Sequence, residues 1–216
     1  MIGKALLASA ALALAGSAAT AGSQAIISKD HMTTMLPHGI ESQLPPKLRR
    51  PSSGVFDNLA TKYTDGLYFC CQGGTITGPD FIGGYSYEQA IPFTPKKSRS
   101  VTSITIGLGY VSGTNSAVVS LAADSNGLPG TTLASGGVSS MPDFGTCCTT
   151  TTVTISSTML TKGTQYWIVV SATGNTWTAW NYSTTDQVDE HTYAYNYNGE
   201  GWTSASYILY PTAEVN

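Results

Sequence analysis

Along residues 101–111 the chain alternates with a period of two. Ile104, Ile106, Leu108 and Tyr110 fall on one side, and Ser103, Thr105, Gly107 and Gly109 on the other. Successive side chains of an extended strand point to opposite faces, so this pattern predicts a half-buried strand. Residues 112–115 (Ser-Gly-Thr-Asn) predict a turn, with 117–123 as the hairpin partner of that strand. Asp124, Ser125, Asn126, Gly127, Leu128, Pro129 and Gly130 make a second, denser turn signal, because Asp, Asn and Gly accept left-handed conformations and Pro stops pairing. A weak strand over 131–138 follows. Residues 149–155 are rich in β-branched side chains, with Val153 and Ile155 inward. Residues 165–171 carry Tyr166, Trp167, Ile168, Val169 and Val170, apolar on both faces, which predicts a central buried strand with Trp167 in the core. Strands over 177–182, 192–197 and 204–210 complete the set, with 198–201 turning between the last two. About eight to ten short strands at this spacing predict an all-β fold: a single antiparallel β-sandwich, jelly-roll-like.

The first quarter of the chain departs from this pattern. Residues 1–21 read as a secretory signal peptide: Lys4 supplies the charged start, 5–15 are apolar, and Ala19-Thr20-Ala21 has the small-x-small form of a cleavage site. The apolar run is too short for a membrane span and is broken by Gly16 and Ser17. No later segment is apolar enough to span, so no transmembrane segment is expected in the mature chain. Residues 22–54, with Pro37, Pro45, Pro46 and Pro51, predict a disordered or extended leader, and the sandwich is expected over 55–212. Export places the protein in an oxidising compartment, the cell exterior, cell surface or periplasm.

Composition adds two constraints. Charged residues make up only 11%, against 12 Tyr, 4 Trp and 23 Gly, a balance that favours extracellular β structure over helix. From residue 101 onward Lys162 is the only cation, facing Asp124, Asp143, Asp186, Asp189, Glu190, Glu200 and Glu214. Such a surface repels polyanions, so nucleic acid is not an expected partner.

Four cysteines stand as two doublets, Cys70-Cys71 and Cys147-Cys148. Zinc would want ligands spaced about as C-x-x-C, and adjacent strand residues point to opposite faces. A vicinal disulfide within each doublet strains the intervening peptide. Bridges between the doublets are the preferred reading: on antiparallel strands with Cys70 opposite Cys148, Cys71 falls opposite Cys147, one pair on each face. Closing a loop of about 75 residues contributes roughly 4 kcal/mol in the chain-entropy model. Non-reducing peptide mapping is expected to recover a peptide pair linking the doublets; intra-doublet bonds alone, or free thiols, would rule this pairing out.

The doublets also belong to a wider likeness. Val55-Phe56-Asp57-Asn58-Leu59-Ala60, Tyr68-Phe69-Cys70-Cys71, Thr75-Ile76-Thr77-Gly78-Pro79, Gly109-Tyr110-Val111-Ser112-Gly113-Thr114-Asn115 and the Asp124 to Gly130 turn all contribute to it. Phe144-Gly145-Thr146-Cys147-Cys148, Gly163-Thr164-Gln165-Tyr166-Trp167-Ile168-Val169 and Trp177-Thr178-Ala179-Trp180-Asn181 extend it. Together they resemble bacterial secreted proteins carrying the choice-of-anchor R domain, across most of residues 55–202. The resemblance implies a non-enzymatic extracellular β-domain of unassigned molecular function, delivered to the cell surface by varied C-terminal sorting signals. This chain ends Tyr210-Pro211-Thr212-Ala213-Glu214-Val215-Asn216, without a hydrophobic tail, so release or non-covalent retention is the expectation here.

Candidate chemistry concentrates in the last third. Tyr193, Tyr195 and Tyr197 alternate and line one strand face, while Trp177, Trp180 and Trp202 sit beside turns. With Asn181 and nearby Asp186 and Asp189 as hydroxyl acceptors, these rings form a candidate glycan-binding platform, since sugars stack their C–H faces on Trp and Tyr. The competing reading is core and cross-strand packing. No catalytic residue, cofactor or metal site is expected. Asp124-Ser125-Asn126-Gly127 lacks the spacing and distal Glu of a calcium loop. There is no G-x-S-x-G elbow, and His191 is the only histidine beyond the leader, which holds His31 and His38. The sequence therefore reads as a secreted, non-catalytic module, adhesive or carbohydrate-binding, with extracellular polysaccharide or cell-surface components as partners. A structural surface or matrix component, or a polysaccharide-active enzyme, stand as alternatives.

Overall fold

The structure is a computed structural model that describes residues 26–28, 33–35, 54–59, 67–69, 72–146, 149–184 and 190–216. Fifteen strands follow in chain order, and no helix occurs among the described residues. The first four are β1 (Ile26–Ser28), β2 (Thr33–Met35), β3 (Phe56–Asp57) and β4 (Gln72–Thr77). Then come β5 (Tyr87–Phe93), β6 (Arg99–Ile106), β7 (Leu108–Ser112), β8 (Ser116–Ser125), β9 (Leu128–Ser139) and β10 (Thr151–Leu160). The last five are β11 (Tyr166–Ala172), β12 (Trp177–Asn181), β13 (His191–Tyr197), β14 (Trp202–Tyr207) and β15 (Ala213–Val215). No helix among the described residues is long and apolar enough to cross a membrane.

The strands form an antiparallel sandwich of two unequal sheets. Eleven make the larger sheet. One run is β9-β8-β11-β5-β13-β14; a second is β1-β2-β4-β12-β7; the pair Thr77–Tyr87 joins them. The smaller sheet runs β10-β6-β15-β3. Between them lies the core: Ile91 and Phe93, Val119 and Leu121, Ile168 and Val170 from one side, Val101, Ile104, Ile106, Val153, Ile155 and Val215 from the other. Fully burying each such side chain stabilises the fold by about 1.5–3 kcal/mol. Strand β11 is central, between β5 and β8, as its two apolar faces predict. Its Trp167 lies on the face opposite Ile168. The small neighbours Ala90, Ala122 and Ala194 leave room for the indole there, and Nε1–H donates to Asp124 Oδ1 at 2.8 Å.

Several expectations need correction. Residues 117–123 do not pair with the preceding strand. Instead β8 pairs with β11 and β9, and the Asp124 to Gly127 signal makes the tight turn between β8 and β9, with Asn126 and Gly127 at φ of 56° and 79°. The continuous strand read over 101–111 is two strands in two sheets. The chain changes sheet at Gly107, where a Cβ would come within 2.8 Å of Thr212 Oγ1 and 3.0 Å of the Tyr68 ring. Alternation survives the corner, since Ile104, Ile106 and Leu108 are all buried.

Strands also form near both ends of the sequence. Within the stretch read as a disordered or extended leader, β2 pairs with β4, and Thr33 and Thr34 are buried. At the other end β15 is inserted between β6 and β3. The Asn216 carbonyl accepts from Thr102 and Ser103 N–H, and Thr212 Oγ1 accepts from Gly107 N–H.

Candidate functional site

The alternation Tyr193, Tyr195, Tyr197 becomes a site through the register of β13 on β5. Tyr195 lies opposite Gln89 and Tyr197 opposite Tyr87, so side chains of β5 and its preceding loop join the same face. Tyr87 stacks on Tyr195 (centroids 5.5 Å, planes at 13°), and Tyr85 stacks on Tyr197 (5.8 Å, 22°). Phe81 meets Tyr85 edge-on at 5.3 Å and Trp177 at 5.7 Å. The result is one continuous line of rings, Trp177–Phe81–Tyr85–Tyr197–Tyr87–Tyr195. It surfaces at one end of the sandwich, where Tyr197 is 39% exposed and Ile82, at the loop tip, is 96% exposed.

That end is held by local hydrogen bonds. The turn between β13 and β14 places Asn198 and Gly199 at φ of 51° and 72°. Asn198 then clamps the neighbouring loop, its Oδ1 accepting from Ser86 N–H (2.9 Å) and its N–H donating to the Ser86 carbonyl (3.0 Å). Trp177 is half-buried, and its Nε1–H donates to Thr34 Oγ1 at 3.0 Å.

Of the seven candidate residues, Trp177, Tyr195 and Tyr197 come together in this line. The other four do not serve as an exposed platform. Trp180 has no exposed surface, because its indole belongs to the main hydrophobic core, and its Nε1–H donates to the Thr212 carbonyl at 2.7 Å. Asn181, 2% exposed, spends its Nδ2 on the Phe69 carbonyl, while its Oδ1 has no partner among the described residues. Tyr193 is 9% exposed and belongs to the core between the sheets. Trp202 lies opposite Asn196 in the ladder, so alternation puts it on the other face of the sheet, against Ala90, Ala194 and Trp167. Asp186 and Asp189 lie outside the described residues, as do the four cysteines.

Sequence reasoning missed Phe81, Ile82, Tyr85 and Tyr87. Tyr85-Ser86-Tyr87 carries the same alternation as 193–197, and Ile82 before Gly83-Gly84 is an apolar residue in a turn. Those signals were present, but nothing local says that 85–87 pairs with 195–197.

The rings themselves are uncharged, and two acids flank them: Asp80 precedes Phe81, and Glu200, in the turn after β13, donates its N–H to the Tyr197 carbonyl. Burial, then the nearby Tyr197, raises the Tyr85 hydroxyl above its ordinary 10.0. Burial pushes Tyr68 up to about 12 and, more strongly, raises Tyr87, Tyr182 and Tyr210. Asp124 resists desolvation and stays below its usual value because Trp167, Gly127 and Gln165 all donate to it. Among the described residues no group of three His, Cys, Asp or Glu side chains is placed to hold a metal ion. Compared with protein-family models, curated proteins and solved structures, the chain matches none.

Proposed function

We propose that this protein is a secreted, non-catalytic binding module that docks neutral polysaccharide on the aromatic end of its sandwich. One observation carries the reading: the line of rings from Trp177 to Tyr195 opens to solvent at Tyr197, beside the fully presented Ile82. Tyrosine and tryptophan rings offer flat apolar faces at low conformational cost, and uncharged hydroxyls suit an uncharged polyol ligand. The likeness of residues 55–202 to choice-of-anchor R domains supports the extracellular setting. The bridged-doublet reading is supported by Tyr68, whose hydroxyl donates to the carbonyls of Thr146 (3.2 Å) and Thr149 (2.9 Å), on either side of the second doublet and two residues from the first.

The burial of Trp180 and Tyr193 favours a second reading, a structural surface component whose aromatics serve packing. A glycan array and polysaccharide pull-down separate the two. The expected result is binding to a neutral glycan that falls about tenfold in Tyr197→Ala, the loss of roughly one stacking contact. Absence of binding across neutral glycans by the natural chain would leave the structural reading in place.

A further inference from the structure

The loop between β4 and β5 is two hydrogen-bonded turns in succession. Phe81 N–H donates to the Gly78 carbonyl at 3.1 Å, and Gly84 N–H to the Phe81 carbonyl at 2.8 Å. Gly78 N–H and Asp80 N–H fasten the first turn to the carbonyls of Thr176 and Gly174, both at 2.9 Å. The second turn rests on rings: a Cβ on Gly83 would come within 2.3 Å of the Phe81 ring and 3.1 Å of the Tyr85 ring. Phe81 is buried, and Tyr85 stacks on Tyr197. A lone exposed isoleucine is ordinary on a protein surface. Ile82 differs because this fixed turn holds it out, 96% exposed, at the open end of the ring line. Little backbone ordering is left to oppose a ligand that covers it.

The same tip presents donors. Among the described residues no acceptor takes the Ile82 N–H or the Gly83 N–H, and both residues are exposed. An apolar side chain beside such N–H groups matches a ligand group with a methyl and an acceptor close together. A bare sugar hydroxyl supplies the acceptor but would lose water against the isoleucine. The methyl of a deoxy sugar covers the isoleucine but accepts nothing from the donors. A carboxylate would meet the flanking acids Asp80 and Glu200. An acetyl group carries a methyl and a neutral carbonyl oxygen on one carbon.

We infer that the turn tip at Ile82 and Gly83 recognises an acetyl substituent of the polysaccharide. The methyl packs on the Ile82 side chain, and the carbonyl oxygen accepts from the N–H groups of the turn. This rests on the docking of neutral polysaccharide at the aromatic end and narrows it: the rings hold a sugar, and the tip selects an acetylated one. An O-acetyl ester and an N-acetyl amide both present the group.

Isothermal titration calorimetry of the full chain with two matched neutral pairs tests it. Chitohexaose and cellohexaose differ in the acetamide; acetylated glucomannan and its alkali-deacetylated form differ in the ester. The acetylated member is expected to bind about tenfold more tightly, in one pair or both. A preference confined to the first pair identifies the amide, and one confined to the second identifies the ester. Ile82→Ser, a change outside the core, is expected to bring the members of each pair to within about twofold. Equal binding within both pairs, or a preference unchanged in Ile82→Ser, overturns the acetyl site. If Tyr197→Ala then still weakens both members, the aromatic docking stands without it. Failure of the natural chain to bind any of the four glycans overturns both.

Discussion

Trp180→Ala is expected to lower the unfolding free energy by about 5 kcal/mol, measured by urea denaturation. Truncating a buried aromatic costs about 3–5 kcal/mol through lost transfer energy and the cavity left behind. Trp180 adds to this because its indole N–H is the partner of the Thr212 carbonyl, and a buried acceptor without its donor costs about another 1–3 kcal/mol. The carbonyl sits at a junction. Thr212 N–H and Oγ1 both donate to the Asn181 carbonyl, and the next residues form β15 between β6 and β3. Loss of the indole therefore loosens the end of β12 and the entry to β15 together. Trp180→Phe, which keeps most of the ring but not the N–H, is expected to cost about half as much. A Trp180→Ala variant within about 1 kcal/mol of the natural chain would mean that the indole is not buried as described.

Alkaline unfolding is the second large effect. Burial raises the hydroxyls of Tyr87, Tyr182, Tyr210 and Tyr68 above their ordinary 10.0. For an acid whose folded pKa is raised, the folded state holds its proton more tightly than the unfolded state. The contribution to stability is whole below 10.0, the unfolded value, and is lost as pH climbs from there toward the folded values. Each such group removes up to about 1.4 kcal/mol per pH unit. Discounted for partial solvent screening, four together remove several kcal/mol within about one pH unit. Tyrosinate absorbance and circular dichroism are thus expected to change together, in one cooperative step above pH 10.0. Tyr87→Phe, which keeps the ring against Tyr195 and deletes the hydroxyl, is expected to move that step to higher pH. Gradual ionisation from pH 10.0 with unchanged dichroism would show that these hydroxyls are open to solvent.

How far the fold was legible in the chain differs by element. The apolar run of β11 announced a central strand, because a strand covered on both faces has no polar alternative on either. The turns at 124–127 and 198–201 were legible because left-handed backbone favours Asn and Gly. The strand of 101–111 was legible as alternation but not as two strands, since a change of sheet at Gly107 leaves the period of two intact. Short β2 and β15 carry too few residues to show a period, and both owe their place to partners far along the chain.

The candidate site divides in the same way. Alternation alone placed Tyr193, Tyr195 and Tyr197 on one face of one strand, because side-chain direction is a property of the local backbone. Turn residues likewise placed the ends of strands. Whether a ring on that face meets solvent or another sheet depends on what packs against it. Only the tertiary structure put Trp180 in the hydrophobic core, turned Trp202 to the far face and brought Tyr85 and Tyr87 beside Tyr197 and Tyr195. Local pattern decides which way a side chain points; long-range pairing, whose partners no local pattern names, decides what it finds there.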